Sequence, residues 1–150
     1  AAQLAAREIG NALHLADPVG NPFITTFAPA QDFQGDLMQF VSLGALGQGL
    51  GPRAETIEIP ETLKIGGDDL LLDDIATPLA LVGSSYSARQ EFNFAGFLQQ
   101  ELGLDLVNHA VQGRGPFAPM RELLASDSLL AGNPEIVVWE IPERYLVMTQ

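Results

Sequence analysis

The chain is 150 residues long, the usual length of one domain, and a domain of this size buries roughly 70% of the surface that its unfolded chain exposes. Hydrophobic residues make up 47% of it and charged residues 17%, which excludes intrinsic disorder, and no apolar run approaches the roughly 18 residues of a membrane-spanning helix. A net charge of −12 argues against nucleic acid as a partner, and the absence of cysteine excludes disulfides and thiolate catalysis.

The first predicted element is a helix over residues 1–16. Apolar residues recur along it at helical spacing, and Asp17-Pro18 followed by Gly20 ends the pattern. The sequence starts on Ala1 rather than Met and enters this helix without a capping residue, so we expect an internal piece of a longer protein. Cleavage by a signal peptidase would also leave Ala-Ala at a mature N-terminus.

The segment from about residue 21 to residue 77 is rich in Gly, Pro and Asp. We interpret it as an irregular insertion in a single domain that spans residues 1–150. Within it, Gly35–Leu43 is compatible with a short helix, and Thr56–Ile59 alternates like a strand. No spacing of side chains supports a metal site, and no cofactor is predicted.

Three short apolar runs in the second half predict buried strands at 79–82, 104–107 and 136–139. Helical spacing predicts one helix that ends at Gly103 and another that begins after Pro116. This alternation predicts an α/β fold, a parallel sheet flanked by helices. Ligands bind beyond the carboxyl ends of such strands, so three segments are expected to form one shared edge, called the rim below: residues 83–87, 108–116 and 140–145.

Ser85 is the candidate nucleophile at the rim. It follows a buried strand in the turn Gly-Ser-Ser-Tyr-Ser and precedes a helix, so its hydroxyl projects into the rim where N–H groups can stabilise an oxyanion. Serines that merely form the turn or cap the helix explain the same pattern, and this explanation fits Ser84 and Ser87 better. A serine nucleophile needs a base, and the two histidines, His14 and His109, both fit structural roles better.

Two further rim segments carry candidate groups. Gly113 and Gly115 allow a close backbone approach and can donate N–H groups to an oxyanion, although a turn that needs positive φ also explains them. Glu140 and Arg144 bring charge to the end of a buried strand, where a partner is needed. Either a mutual ion pair or contact with substrate meets that need.

Five segments together carry a specific pattern. The pattern resembles the alginate O-acetyltransferase family, SGNH-hydrolase-like proteins that acetylate bacterial exopolysaccharides in the periplasm. The segments are Gln-Gly-Asp-Leu (34–37), Leu-Val-Gly-Ser-Ser-Tyr-Ser-Ala (81–88), Phe-Asn-Phe-Ala-Gly-Phe-Leu (92–98), Val-Asn-His-Ala-Val-Gln-Gly-Arg-Gly-Pro (107–116) and Trp-Glu-Ile-Pro-Glu-Arg-Tyr-Leu (139–146).

The resemblance implies an SGNH-like three-layer sandwich with a serine, histidine and aspartate triad, in which the serine is Ser85. In that family the aspartate and histidine come from an Asp-x-His motif shortly before a helix like residues 1–16. No Asp-x-His occurs in this chain. We therefore expect the chain to be the C-terminal part of the catalytic domain, truncated at its N-terminus and inactive alone.

The resemblance further implies that Ser85 accepts an acetyl group and passes it to a sugar hydroxyl, with nearby N–H groups, and those of Gly113 or Gly115, holding the oxyanion. The expected partners are an anionic, alginate-like polysaccharide and a membrane-bound O-acyltransferase that supplies acetyl. Because the charge of −12 does not suit an anionic polymer, binding would need local basic groups. The candidate substrate-binding residues are Tyr86, Arg114, Arg144 and Tyr145, and Arg89 is a further candidate arginine.

Two other functions fit the sequence. A carbohydrate acetylesterase would use the same serine with water as acceptor. A non-catalytic polysaccharide-binding or assembly module is favoured if the protein naturally lacks Asp-x-His.

Overall fold

The structure, a computed structural model, describes residues 1–16, 18–33, 53–65, 78–126 and 134–147. The predicted helix at Gly35–Leu43 and the Gln-Gly-Asp-Leu segment lie outside these ranges. Within them, no helix is long and apolar enough to cross a membrane.

In chain order the elements are α1 (Ala2–Leu13), β1 (Phe23–Phe27), β2 (Gln31–Phe33), β3 (Glu55–Ile57), β4 (Pro60–Lys64), β5 (Leu79–Val82), α2 (Ser85–Ala88), α3 (Phe94–Leu102), β6 (Leu106–Asn108), α4 (Phe117–Ala125) and β7 (Ile136–Trp139), with 3₁₀ turns at Gln90–Phe92 and Glu143–Tyr145.

The predicted parallel sheet is confirmed. Its strand order is β6-β5-β7, and β5 pairs in parallel with both neighbours. All four residues of β5 are buried, which explains its continuous apolar sequence. The second strand begins at Leu106 rather than at residue 104, because Leu104 packs against the core from the connection before the strand.

Helices cover both faces of the sheet. On one face, side chains of β5 pack against α1 and α3, and on the other the Phe117 ring at the start of α4 meets Trp139 of β7 edge to face, with ring centroids 5.7 Å apart. The protein is therefore a three-layer α/β structure. The buried core consists of Ala6, Leu79, Leu81, Phe94, Phe97, Leu98 and Leu102.

The helix ends follow local backbone chemistry. α3 ends at Gly103, which has φ of +65° and confirms the predicted terminal glycine. α1 ends earlier than the predicted residue 16, at His14, which adopts the left-handed conformation with φ of +57°. Its N–H donates to the Asn11 carbonyl and closes the last turn.

The segment interpreted as irregular contains four strands in its described parts. β1 pairs with β4, and β2 with β3, both antiparallel. The sequence indicated only one strand there, at residues 56–59, and that strand is β3 at Glu55–Ile57. The β1–β4 pair is attached to α3, because the Thr25 N–H donates to Gln100 Oε1 at 2.7 Å.

Candidate active site

The chain turns at Gly83, after β5, directly into the single helical turn α2. We call residues 83–87 the serine turn. Ser84 and Ser87 are each only 2% exposed, and Ser84 Oγ accepts the N–H of Tyr86 at 3.4 Å as the helix cap. Ser85 lies between them and is partly exposed. Of the three serines, Ser85 alone is accessible enough to meet a substrate.

The hydroxyl of Ser85 has no hydrogen-bond partner among the residues that the structure describes. His14 ends α1, while the N–H of His109 donates to the Leu81 carbonyl at 2.7 Å and its ring lines a different cleft, together with Glu122. Neither imidazole bonds to Ser85, so neither is placed as its base.

The carboxylate of Glu140 binds the serine turn. Its Oε2 accepts the Ser84 N–H at 2.7 Å, the Ser84 hydroxyl at 2.9 Å and the Ser87 hydroxyl at 3.2 Å. These donors satisfy a partly buried carboxylate directly after β7. The ion pair with Arg144 that the sequence left open does not form. That Glu140 binds the serine turn was not predicted from the sequence. The signal that could have indicated it is the position of this glutamate directly after the predicted strand at residues 136–139.

Arg144 is instead placed between two tyrosine rings. Its guanidinium carbon lies 5.6 Å from the ring centre of Tyr86 and 5.1 Å from that of Tyr145. Hydrogen bonds with the hydroxyls of Tyr145 and then Tyr86 raise the pKa of Arg144 above its ordinary value. No carboxylate of the described residues pairs with it. Three of the predicted substrate-binding residues thus form one group, in which Tyr86 directly follows Ser85 in the chain.

The other two candidate arginines already have carboxylate partners. Arg114 pairs with Glu122 at 2.5 Å on the surface. Arg89 pairs with Glu91 at 3.1 Å, and its side chain is 13% exposed. The hydrogen bond from Arg89 lowers the pKa of Glu91 below its ordinary value. Arg89 also lies 5.6 Å from the Phe33 ring centre, so it connects β2 to the rim rather than offering charge to a polymer.

The loop that carries Gly113 and Gly115 is fastened to the rim at both ends. The Val111 N–H donates to the Gly83 carbonyl at 3.4 Å, and the indole N–H of Trp139 donates to the Pro116 carbonyl at 3.0 Å. Both glycines have positive φ, +80° and +64°, which the turn itself requires. Neither glycine forms a hydrogen bond with Ser85, so their role as oxyanion donors stays a prediction.

The two glycines should respond differently to alanine. A Cβ on Gly115 would lie 3.1 Å from the Tyr145 hydroxyl, whereas a Cβ on Gly113 would meet nothing within 4 Å. Both alanines would carry the left-handed strain of about 1–2 kcal/mol, and only Gly115→Ala would also push against Tyr145. We expect thermal melts to show a larger loss of stability for Gly115→Ala, and equal losses would contradict the close packing.

Known proteins are similar to this chain in sequence. The family described as "SGNH hydrolase-like domain, acetyltransferase AlgX" matches residues 1–143. The probable alginate O-acetylase AlgJ of Pseudomonas aeruginosa is 41% identical over 145 residues, 90% of this chain and 37% of that protein. AlgJ of Pseudomonas fluorescens is 39% identical over 97% of this chain and 38% of its own length. The chain thus spans less than two-fifths of these relatives.

Solved structures agree with the sequence matches. The O-acetyltransferase domain of Pseudomonas putida AlgJ superposes with a TM-score of 0.81 at 35% identity, covering 99% of this chain and 50% of that one. Pseudomonas aeruginosa AlgX superposes with a TM-score of 0.69 at 24% identity over 93% of this chain and 32% of its own, a likeness of fold alone. From the family match over 143 residues and the AlgJ relatives, the chain belongs to the SGNH hydrolase-like acetyltransferase family of AlgX and AlgJ.

Proposed function

We propose that the full-length protein is an O-acetyltransferase that acetylates alginate outside the cytoplasm, in the periplasm, with Ser85 as its nucleophile. The carrying observation is the position of Ser85. It lies in the serine turn at the carboxyl end of the central strand, partly exposed, with a hydroxyl that no described residue engages. Family membership supports acetyl transfer, and the AlgJ relatives, named as probable alginate O-acetylases, support alginate as the acceptor.

In this mechanism Ser85 Oγ attacks the carbonyl carbon of an acetyl donor while a base removes its proton. The leaving group departs with a proton, and the acetyl ester of Ser85 remains. A sugar hydroxyl then attacks that ester, which restores the serine and gives the acetylated polymer. The base is expected from an Asp-x-His motif outside these residues.

Helix geometry favours one N–H group of the serine turn as an oxyanion donor. The Ser85 N–H opens α2, where an N–H has no intrahelical acceptor. The Ser84 N–H is not available, because it binds Glu140. We assign the Ser85 N–H as the first donor and retain Gly113 or Gly115 as the proposed source of the second.

Recognition of an anionic polymer is proposed for the group of Tyr86, Arg144 and Tyr145. A chain with net charge of −12 repels such a polymer at long range, so affinity depends on short-range contacts. No carboxylate in the described part of the chain pairs with Arg144, and its guanidinium lies over the rings of Tyr145 and of Tyr86, the residue after Ser85. A guanidinium can bind a uronate carboxylate through two hydrogen bonds.

Replacing Arg144 with alanine should therefore weaken binding of polymannuronate oligomers about tenfold. Arg114→Ala is the matched arginine variant. It should change the Kd less, because Arg114 is already paired with Glu122. Titration calorimetry on folded variants measures both, and unchanged affinity in Arg144→Ala would make that arginine structural and weaken alginate as the substrate.

The function itself is tested with the full-length protein, 4-nitrophenyl acetate as donor and polymannuronate oligomers as acceptor. Mass spectrometry should find acetyl on the oligomers and, early in the reaction, on Ser85. Release of free acetate alone would indicate an esterase. Binding of oligomers without any turnover would indicate a non-catalytic module. In the cell, a membrane-bound O-acyltransferase is the proposed supplier of acetyl.

A further inference from the structure

One carboxylate contacts the serine turn on both sides of Ser85. Glu140 receives the backbone N–H and hydroxyl of Ser84 before it and the hydroxyl of Ser87 after it. The backbone of Glu140 is itself fixed, because its N–H donates to the Val82 carbonyl at 2.8 Å and extends the pairing of β7 with β5. The carboxylate therefore ties the turn to the end of the neighbouring strand.

Gly83 provides the space for this carboxylate. A Cβ at this position would lie 2.6 Å from Glu140 Oε2 and 2.7 Å from Ser87 Oγ. Gly83 is not among the glycines with positive φ, so its backbone conformation does not require glycine. What requires glycine here is the volume that the side chains of Glu140 and Ser87 occupy.

The donors around Glu140 also match an ionised carboxylate, which only accepts hydrogen bonds. A backbone N–H and two hydroxyls donate to it, and no basic side chain of the described residues neutralises it. These bonds fix the backbone of Ser84 and the side chain of Ser87. Because Ser85 Oγ has no partner among the residues that the structure describes, the position of that oxygen depends on the turn that carries it.

We infer that Glu140 is the positioning residue for Ser85: it holds the serine turn in the geometry that aims the Ser85 hydroxyl at the acetyl carbonyl. The inference rests on the proposed function of Ser85. The Glu140 carboxylate bonds to Ser84 and Ser87 and not to the Ser85 hydroxyl, so in this inference it acts through the turn. A displacement of about 1 Å at a reacting atom can cost roughly 100-fold in rate.

The test uses the full-length protein and steady-state kinetics of acetyl transfer from 4-nitrophenyl acetate. Glu140→Gln keeps the size of the side chain but replaces an acceptor oxygen with an NH₂ donor. We expect kcat to fall roughly 10- to 100-fold, with KM within about threefold of the parent value. Glu143→Gln is the matched control, because it removes the same charge from an exposed side chain three residues away and should leave both constants unchanged.

A second variant moves the carboxylate without altering it. Gly83→Ala should displace Glu140 from the turn and give the same fall in kcat at nearly constant KM. A purely structural role would instead lower the melting temperature and leave kcat per folded molecule intact. If neither variant folds, Ser87→Ala removes one donor, and a fall in kcat of about three- to tenfold is then expected.

The outcomes separate this inference from the proposed function. The positioning role is overturned if folded Glu140→Gln or Gly83→Ala keeps the parental kcat. If only Ser87→Ala folds, a parental kcat in that variant overturns the role. In either case Ser85 stays the nucleophile. Full activity in Ser85→Ala overturns the nucleophile, and the positioning role with it. Loss in Ser85→Ala together with the selective fall in kcat supports both.

Discussion

Ser85→Ala in the full-length protein should lower kcat for acetyl transfer by at least about 1,000-fold. In the proposed mechanism the substitution removes the oxygen that carries the acetyl group, and members of a catalytic triad act as a unit, so the remaining groups would contribute only binding and oxyanion stabilisation. The side chain is partly exposed and has no partner among the described residues, so its removal should barely change stability. Kinetics with 4-nitrophenyl acetate and polymannuronate, beside a thermal melt, measure both quantities.

The neighbouring serines are the controls for this experiment. Ser84→Ala removes the helix cap and a hydroxyl bound by Glu140, and Ser87→Ala removes another such hydroxyl. Both should lower stability by about 1 kcal/mol and reduce kcat far less than Ser85→Ala does. Acetylation found on Ser84 or Ser87, or near-parental activity in Ser85→Ala, would refute Ser85 as the nucleophile.

The central strand of the sheet was predictable because it is buried on both faces, whereas β6 and β7 are partly exposed. Leu79 to Val82 form a continuous apolar run, and only a central parallel strand with helices above and below needs that. The boundary of β6 was less clear because Leu104 is apolar for core packing rather than for strand pairing. Local signals at Gly103 and Pro116 marked helix limits reliably, since they depend on the backbone alone.

Long-range pairings were not predictable in the same way. Phe23 pairs with Lys64 across more than 30 intervening residues, and each strand of that pair is short and carries polar side chains. Such strands form because they pair with each other and pack on α3, and not because apolar and polar residues alternate along them. The sequence signal for β1, the aromatic and β-branched residues of Phe-Ile-Thr-Thr-Phe, was too brief to stand out from the surrounding glycines and prolines.

In the candidate site, too, local features were predictable from the sequence and long-range contacts were not. Ser85 could be selected from its turn, because strand, turn and helix lie within a few residues. The bond between Glu140 and Ser84 joins residues 56 positions apart, and their closeness follows only from the adjacent pairing of β5 and β7. The sequence left two partners open for Glu140, and the observed one was a third.

Residues 1–150 on their own should turn over 4-nitrophenyl acetate at least about 1,000-fold more slowly than the full-length protein. The chain contains no Asp-x-His, and neither of its two histidines bonds to Ser85. His14 ends α1, and His109 lines the cleft with Glu122. Without a base, Ser85 stays a weakly nucleophilic hydroxyl at neutral pH. Circular dichroism on the same sample establishes that the chain is folded.

The informative comparison is then between histidine variants of the short chain. If folded residues 1–150 react at a rate close to that of the full-length protein, one of the two imidazoles is serving as base, and His109→Ala or His14→Ala should remove that activity. Since neither ring bonds to Ser85 in the structure, we expect both variants to match the parent short chain. A base supplied from outside these residues explains that pattern, whereas a loss in either variant would contradict it.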